Sequence, residues 1–403
     1  MFATALALIA QEFQGRERAR AIGMWGATVG GAIAVGPLVG GILTDALGWE
    51  WIFFVNVPIG IAAIVLTETR LANIAATDMQ PIDWAGLATF SGALFGLIRG
   101  NAEGWASAQI LISLVGVAVL IGAFVAIQGR RTNSMLDVSL FRVAAFGGAS
   151  IVAWALSAGM FAMFLYITLY LQDVLEFSPL AAGVRVLPIT VLAFLVSPIA
   201  ANLSNGIPVR AIMGVGLILV GVGLLLMHGV EVGNEWTGLL PGFIACGIGI
   251  GMTNPMIAET ALGVVPPARA GMASGINLTF RQTGIATGVA GLGAVFQSQV
   301  ESNLGGVPEA ARPGFADAVS SGAIDQAAAQ APPQRQPAAL DGAQHAFVTG
   351  FNEILLIGSA VAIIGGILGM VLVRKRDFLA APAAGNGRPY EQTRDRPCAL
   401  TDA

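Results

Sequence analysis

Arg281 interrupts an otherwise apolar segment in the second half of the sequence. It lies ten residues into the segment 271–297, and a charge at the centre of a membrane helix costs about 2.5–3.5 kcal/mol on insertion scales. Such a charge has to face protein or water, so we expect polar partners for it. The candidates are Gln282 and Asn277 on the same segment and Asn254 and Glu259 on the preceding one.

This polar group has two interpretations, and the sequence leaves both open. Arg281 either lines a cavity, where it binds substrate or takes part in coupling, or it belongs to a structural ion pair or extends to the membrane interface. The other carboxylates near apolar segments, Asp45 and Glu353, lie at segment ends, while Asp173 and Glu176 fall in a predicted solvated loop. No carboxylate lies at the middle of a predicted span.

A second candidate for ligand binding is the run "MFAMFLYITLY", residues 160–170. Methionine and aromatic side chains suit greasy ligands of variable shape. The run offers Met160, Met163, Phe164, Tyr166 and Tyr170. Lipid contact or helix packing explains these residues equally well.

The sequence has no pattern typical of an enzyme. His228 and His345 are far apart, Cys246 and Cys398 have no disulfide or metal-ligand spacing, and no glycine-rich loop ends in Gly-Lys-Ser/Thr. We therefore expect no enzymatic activity, no metal and no bound cofactor. The net charge of −4 and the dispersed arginines also give no indication of a nucleic-acid partner.

Composition indicates that these residues are carried by membrane helices. The chain is 55% hydrophobic and only 11% charged, with a mean hydropathy of +0.76, whereas soluble domains are roughly 25% charged. A span needs about 20 apolar residues, and we predict ten such spans. They lie near 21–43, 51–67, 84–100, 110–127, 143–170, 180–200, 209–229, 237–260, 271–297 and 346–373.

Basic residues predict the orientation of these spans, because cytoplasmic loops retain Arg and Lys. Placing the loop 11–20 in the cytoplasm puts most arginines on that side and both termini with them. Residues 298–345, rich in Ala, Gln and Pro, are predicted to form a flexible outer loop. The tail 374–403 is predicted to be disordered and cytoplasmic.

Glycine and proline recur in the apolar stretch "AIAVGPLVGGILTDALGWEWIFFVNVPIG", residues 32–60. In a bilayer, glycine lets helix axes approach closely, and proline removes one backbone hydrogen bond and bends the helix. The stretch therefore predicts a helix-packing surface. Ordinary small-residue packing, which is common in membrane helices, is the alternative to a specialised role.

The stretch from "ALALIAQEFQGRERARAIGMWG" to "GWEWIFFVNVPIG" resembles the fourth to sixth spans of the fourteen-span drug:proton antiporters of the major facilitator superfamily. Ala32 stands where the antiporter motif of that family has a second glycine, and Glu50 where the family usually has Arg. By this resemblance, the motif helix packs against the span 180–200. The matching motif residues are Gly23, Gly36, Pro37, Gly40 and Gly41.

Further similarity lies in "SLFR", "LYLQDVLEFSPLAAGVRVLP" and "VVPPARAGMASGINLTFRQTG". The resemblance implies a major facilitator fold of about ten full transmembrane helices after an N-terminal helix stub. It assigns 1–83 to a remnant of the N-terminal bundle, 84–142 to an extra helix pair with a cytoplasmic loop, and 143–373 to a C-terminal six-helix bundle.

The function implied by the resemblance is proton-coupled export of drugs by alternating access, by a multi-pass protein of the cell (inner) membrane. Its partners would be the lipid bilayer, protons and small amphipathic or cationic substrates, and the energy source would be the proton gradient. We expect a monomer. The alternative is a truncated protein unable to transport, because the first three spans of the family and most of the fourth have no counterpart here.

Overall fold

The computed structural model describes residues 15–70, 138–266, 269–304, 312–329 and 331–378, together with isolated positions among 5–13 and 115–126. All regular secondary structure within these residues is helical, which confirms the predicted all-α class. The predicted spans 84–100 and 110–127 fall largely or wholly outside the described residues. The other eight predicted spans each lie on a described helix.

The helices are numbered in chain order. They are α1 (Gly15–Leu47), α2 (Trp51–Phe54), α3 (Asn56–Arg70), α4 (Ala144–Val174, with π-helical turns at Ser157–Phe161 and Tyr170–Val174), α5 (Pro179–Leu203), α6 (Val209–Leu226), α7 (Leu240–Gly263), α8 (Ala270–Asn303), α9 (Arg312–Ser320), α10 (Ile324–Ala329) and α11 (Gln336–Leu372). Short 3₁₀ turns lie at Val138–Arg142, Trp236–Leu239, Pro333–Arg335 and Lys375–Asp377.

Six helical segments among the described residues are long and apolar enough to cross a membrane. They are Trp51–Thr69, Ala144–Val174, Pro179–Leu203, Val209–Leu226, Trp236–Gly263 and Pro333–Leu372. The side chains of Trp51–Thr69 are not buried against any described residue. The other five segments pack together, with helix α8 among them, into one helical bundle.

Glycine brings the backbones of this bundle into contact. A Cβ added to Gly216 of α6 would lie 2.9 Å from the carbonyl oxygen of Gly249 on α7, and one added to Gly221 would lie 2.9 Å from that of Ser359 on α11. Helix α6 is therefore held tightly between α7 and α11. In lipid, the hydrophobic effect does not drive helices together, so close van der Waals packing of this kind stabilises the bundle.

One end of the bundle carries Arg142, Arg210, Arg269 and Arg374 at helix boundaries, and we call it the basic end. The tail begins there in an ordered form. Asp377 Oδ2 accepts a hydrogen bond of 3.2 Å from the backbone N–H of Ala145, at the start of α4. The prediction of disorder from residue 374 was therefore wrong up to residue 378; residues 379–403 lie outside the described residues.

The prediction of a flexible loop over 298–345 was also wrong for the residues of this range that the structure describes. Helix α8 continues to Asn303, α11 begins at Gln336, and α9 and α10 pack between them at the end opposite the basic end. Val319 and Ile324 are buried, together with Ala316, Ala327 and Ala328. Alanine loses almost no side-chain entropy on burial, so an alanine-rich segment packs here despite a composition that suggests disorder.

Asp173 differs from its predicted solvated position. It lies in the π-helical turn Tyr170–Val174, and its Oδ2 atom is buried without a hydrogen-bond partner among the described residues. A Cβ added to Gly322, just before α10, would lie 2.7 Å from the same atom. Glu176, by contrast, is exposed as expected.

Candidate functional site

Helix α1 packs lengthwise against α5, the helix that the resemblance implied as its partner. A Cβ added to Gly23 would lie 2.7 Å from the Cβ of Ala201, and one added to Gly41 would lie 2.8 Å from the Cα of Leu180. Residue numbers rise along α1 as they fall along α5, so the two helices run antiparallel. The implied pairing of these helices is therefore present in the structure.

The glycines of the motif lie on two faces of α1. Gly23 and Gly41 are 18 residues apart, which is five full turns at 3.6 residues per turn, and both face α5. A Cβ added to Gly36 or Gly40 would meet no described atom within 4 Å. The structure thus places Gly23 and Gly41 in the interface and Gly36 and Gly40 outside it; Pro37 lies between them in the helical backbone.

Gly26 adds a contact to this interface that the motif did not predict. A Cβ added there would lie 2.6 Å from the hydroxyl oxygen of Ser197 on α5. This hydroxyl is buried and has no hydrogen-bond partner among the described residues. No signal in the sequence distinguishes Ser197 from other serines of apolar segments.

Arg281 finds one of its predicted partners across the boundary between α7 and α8. Its Nη2 atom donates a hydrogen bond of 2.5 Å to the side-chain oxygen of Asn254 on α7. Asn277 lies one helical turn before Arg281 on the same face of α8 and is 4% exposed. The Nδ2 atom of Asn277 is buried without a hydrogen-bond partner among the described residues.

Two glycines on the same face of α8 show what this face contacts. A Cβ added to Gly284 would lie 2.9 Å from the Cβ of Ser157, and one added to Gly288 would lie 2.7 Å from the Cα of Ala158, both on α4. The polar residues of α8 therefore lie where α4, α7 and α8 meet. We call Arg281, Asn254 and Asn277 the Arg281 cluster.

The other two predicted partners lie outside this cluster. Gln282 is exposed. The Glu259 carboxylate lies near the Ser204 side chain and the Arg18 charge, at the basic end. Glu259 therefore faces α1 and α5, and the prediction that it is a partner of Arg281 was wrong, because the fold brings an arginine from another helix to it.

The methionine and aromatic run of α4 lies in the packed core. Met160, Met163, Tyr166 and Tyr170 are each at most 5% exposed. The ring of Tyr170 stacks on Phe351 with centroids 5.2 Å apart, and that of Tyr166 lies 4.9 Å from Phe296. Phe164 is partly buried against the same core. Helix packing thus accounts for these side chains in the structure.

A cleft of about 410 Å³ opens at the basic end, beside the Glu259 carboxylate. Arg210 and Lys375 line it together with Phe378 from the ordered start of the tail. Sequence reasoning missed this cleft, because its walls come from three separate stretches of the chain. At the opposite end, Cζ of the Arg185 guanidinium lies 3.5 Å from the centre of the Phe177 ring and 5.4 Å from the centre of the Trp236 ring. The sequence did not predict this contact either.

Comparison with known proteins gives several relatives whose names refer to resistance. The multidrug resistance protein Stp of Mycobacterium tuberculosis is 33% identical over 306 residues, which are 75% of this chain and 57% of that protein. The tetracenomycin C resistance and export protein of Streptomyces glaucescens is 27% identical over 382 residues, 91% of this chain and 71% of that protein. The puromycin resistance protein of Streptomyces alboniger is 32% identical over 299 residues, 72% of this chain and 59% of that protein.

The chain therefore spans little more than half the length of most of these relatives. A family model also matches residues 1–289, and its description is that of the Major Facilitator Superfamily. This match covers the helices α1 to α7 and the first part of α8, including the α1–α5 interface and the Arg281 cluster. The chain belongs to the Major Facilitator Superfamily of membrane transporters.

Proposed function

We propose that this protein is a secondary active transporter that exports drugs or other small amphipathic compounds across the cell membrane. The observation that carries the proposal is the likeness, over 72% to 91% of the chain, to the relatives named for resistance or export. Membership of a transporter family and the apolar helices of the bundle support it. The polar Arg281 cluster inside that bundle supplies a candidate contact for the cargo.

The proposed mechanism is alternating access, in which two groups of helices rock about a central site. We assign α1 to α3 to one group and α4 to α11 to the other, with the segment 84–142 between them. The α1–α5 interface then joins the groups. Its small residues support this role, because Gly23 and Gly41 leave no interlocking side chains that would resist a rolling motion of the two helices.

The proposed energy source is the proton gradient, without a bound cofactor. We further propose that both termini lie on the cytoplasmic side, since the basic end carries arginines at several helix boundaries, and that the protein works as a monomer. The motif glycines, the Arg281 cluster and Gln282 remain the proposed functional residues. Glu259 is proposed to act at the basic end with Arg18.

Export is tested by expressing the 403-residue chain in a bacterium that lacks its main efflux pumps. We expect lower accumulation of fluorescent dyes and higher resistance to a panel of antibiotics that includes puromycin. Addition of a protonophore should restore dye accumulation. The matched control is a strain with the same amount of Gly41→Leu protein in its membrane, which should behave like the empty vector.

Two outcomes would contradict parts of the proposal. If a chain present in the membrane at a normal level changes neither accumulation nor resistance for any compound of the panel, export by this chain is refuted. If export persists in the presence of the protonophore, proton coupling is refuted while export stands.

A further inference from the structure

The Arg281 cluster contains more hydrogen-bond donors than acceptors. A guanidinium has five N–H donors and no acceptor. In the described structure, the Arg281 guanidinium has a single side-chain acceptor, the oxygen of Asn254. One turn away, the buried amide nitrogen of Asn277 has no acceptor among the described residues. Buried donors are normally paired, so the Asn277 amide points to a missing acceptor, and the guanidinium beside it has donors to spare for the same acceptor.

The positive charge of the cluster also lacks a counter-charge. Among the described residues, no carboxylate forms an ion pair with Arg281. Glu259 on α7 lies near Arg18 instead. On α8 itself, the nearest acidic residue is Glu301. It is 20 residues from Arg281, which is about 30 Å along a helix. The cluster thus offers a fixed cation and an amide donor in a region of low polarity.

Arg281 keeps part of its surface exposed, whereas Asn254 is 8% and Asn277 is 4% exposed. Arg281 is therefore the residue of the cluster that a ligand can reach first. A fixed positive charge of this kind repels a cationic ligand and attracts an anionic one, most strongly where water is scarce. It also forms charge-assisted hydrogen bonds with carboxylate, phenolate or polarised carbonyl oxygens.

We propose that the Arg281 cluster selects substrates that carry an anionic oxygen or a conjugated carbonyl oxygen, and that it disfavours cationic drugs. The oxygen accepts hydrogen bonds from the Arg281 guanidinium and the Asn277 amide, while Asn254 holds the guanidinium in place. This inference rests on the proposed export function, and it replaces the expectation of cationic substrates.

The test measures binding to the purified full chain in lipid nanodiscs, so that it does not depend on export. The probes are two xanthene dyes of similar size, anionic fluorescein and cationic rhodamine 123. Their binding is measured by fluorescence anisotropy. We expect fluorescein to bind at least about tenfold more tightly, the scale of one charge-assisted contact. Arg281→Gln should remove this preference, Arg281→Lys should keep most of it, and Arg281→Glu should reverse it.

Three further variants distinguish recognition of the ligand from a purely structural role of Arg281 between α7 and α8. Asn277→Ala should weaken fluorescein binding and leave rhodamine 123 unchanged, because it removes the amide donor without changing the charge of the cluster. Asn254→Ala keeps the charge, so some preference for fluorescein should remain. Arg335→Gln makes the same change of side chain at an exposed position and should have no effect.

The proposal is overturned if the wild-type chain prefers rhodamine 123, or if Arg281→Gln and Asn254→Ala weaken both dyes equally. The first result would mean that the Arg281 charge does not select the ligand, and the second that Arg281 serves only to brace α7 and α8. A variant that does not fold is recognised by its thermal unfolding and elution profile, and Arg281→Lys then carries the test. Anionic-selective binding without export in cells would contradict the proposed function but leave the selectivity of the site intact.

Discussion

At the scale of residues, two charges of the bundle lie beside polar groups from elsewhere in the fold: Arg281 beside Asn254, and Glu259 beside Arg18 and Ser204. Arg281 stands out because it is a charge in an apolar segment, and Asn254 was among the few polar residues able to meet it. Glu259 was misassigned, since its neighbours Arg18 and Ser204 come from helices that only the fold brings together. Long-range pairs of this kind leave no spacing signal in a single sequence.

Asp377 gives a residue-scale prediction. Its side chain accepts a hydrogen bond from the first turn of α4, at Ala145, across 232 residues of sequence, so it serves as a distant cap for that helix. Replacing a capping side chain with alanine costs typically about 1 kcal/mol. We therefore expect Asp377→Ala to lower the thermal unfolding midpoint of the detergent-solubilised protein, and Asp377→Asn, which keeps a side-chain oxygen, to lower it less.

The matched control for Asp377 is Asp341→Ala. Asp341 forms an exposed pair with His345, 3.5 Å apart, and exposed pairs contribute little to stability. We expect this variant to unfold at the wild-type temperature. Equal midpoints for Asp377→Ala and Asp341→Ala would show that the contact with α4 has no stabilising role.

At the scale of elements, hydropathy predicted the positions of most helices, but it did not predict the residues at which they begin and end. Eight predicted spans coincide with described helices, because a run of about 20 apolar residues has few alternatives in a bilayer. The extension of α8 to Asn303 and the helices α9 and α10 were missed. Alanine and glutamine are compatible with both a solvated loop and a packed helix, so composition alone could not decide between them.

The element-scale prediction concerns the α1–α5 interface. Gly41→Ala places a methyl group 2.8 Å from the backbone of Leu180, whereas Gly40→Ala meets no described atom within 4 Å. Overpacking of this kind costs typically about 1–3 kcal/mol. We expect Gly41→Ala to lower the thermal midpoint and to impair dye export, and Gly40→Ala to leave the interface intact.

Both variants should be compared at equal amounts in the membrane. Cysteines introduced at neighbouring positions of α1 and α5 would report the contact directly by cross-linking. If Gly40→Ala and Gly41→Ala behave alike in stability, export and cross-linking, the assignment of the two glycines to different faces of α1 is incorrect.

At the scale of the whole molecule, composition alone was sufficient to predict a helical membrane protein, and the glycine motif with "WIFFVNVPIG" indicated the family. These signals are strong because they are spread over many residues. The substrate was not predictable in the same way, since it depends on a few donors at the junction of three helices. The sequence named Asn254 and Asn277 as candidate partners of Arg281, but only the structure shows that the Asn277 amide lacks an acceptor.

The orientation of the molecule is testable with reporter fusions. Alkaline phosphatase is active only outside the cytoplasm, so a fusion placed after Phe378, beyond the basic end, should show no activity. A truncated fusion placed after Leu304, at the far end of α8, should be active. The reverse pattern would invert the proposed topology, and with it the direction of export.

The contact between α1 and α5 has a consequence for how the protein can change over generations. At Gly23 the obstacle to a larger residue is the methyl group of Ala201, so glycine at 201 would make room for alanine at 23. At Gly41 the obstacle is the main chain of Leu180, which every amino acid possesses. No single replacement on α5 can relieve a side chain there, and descendants of this protein can lose Gly41 only by shifting an entire helix.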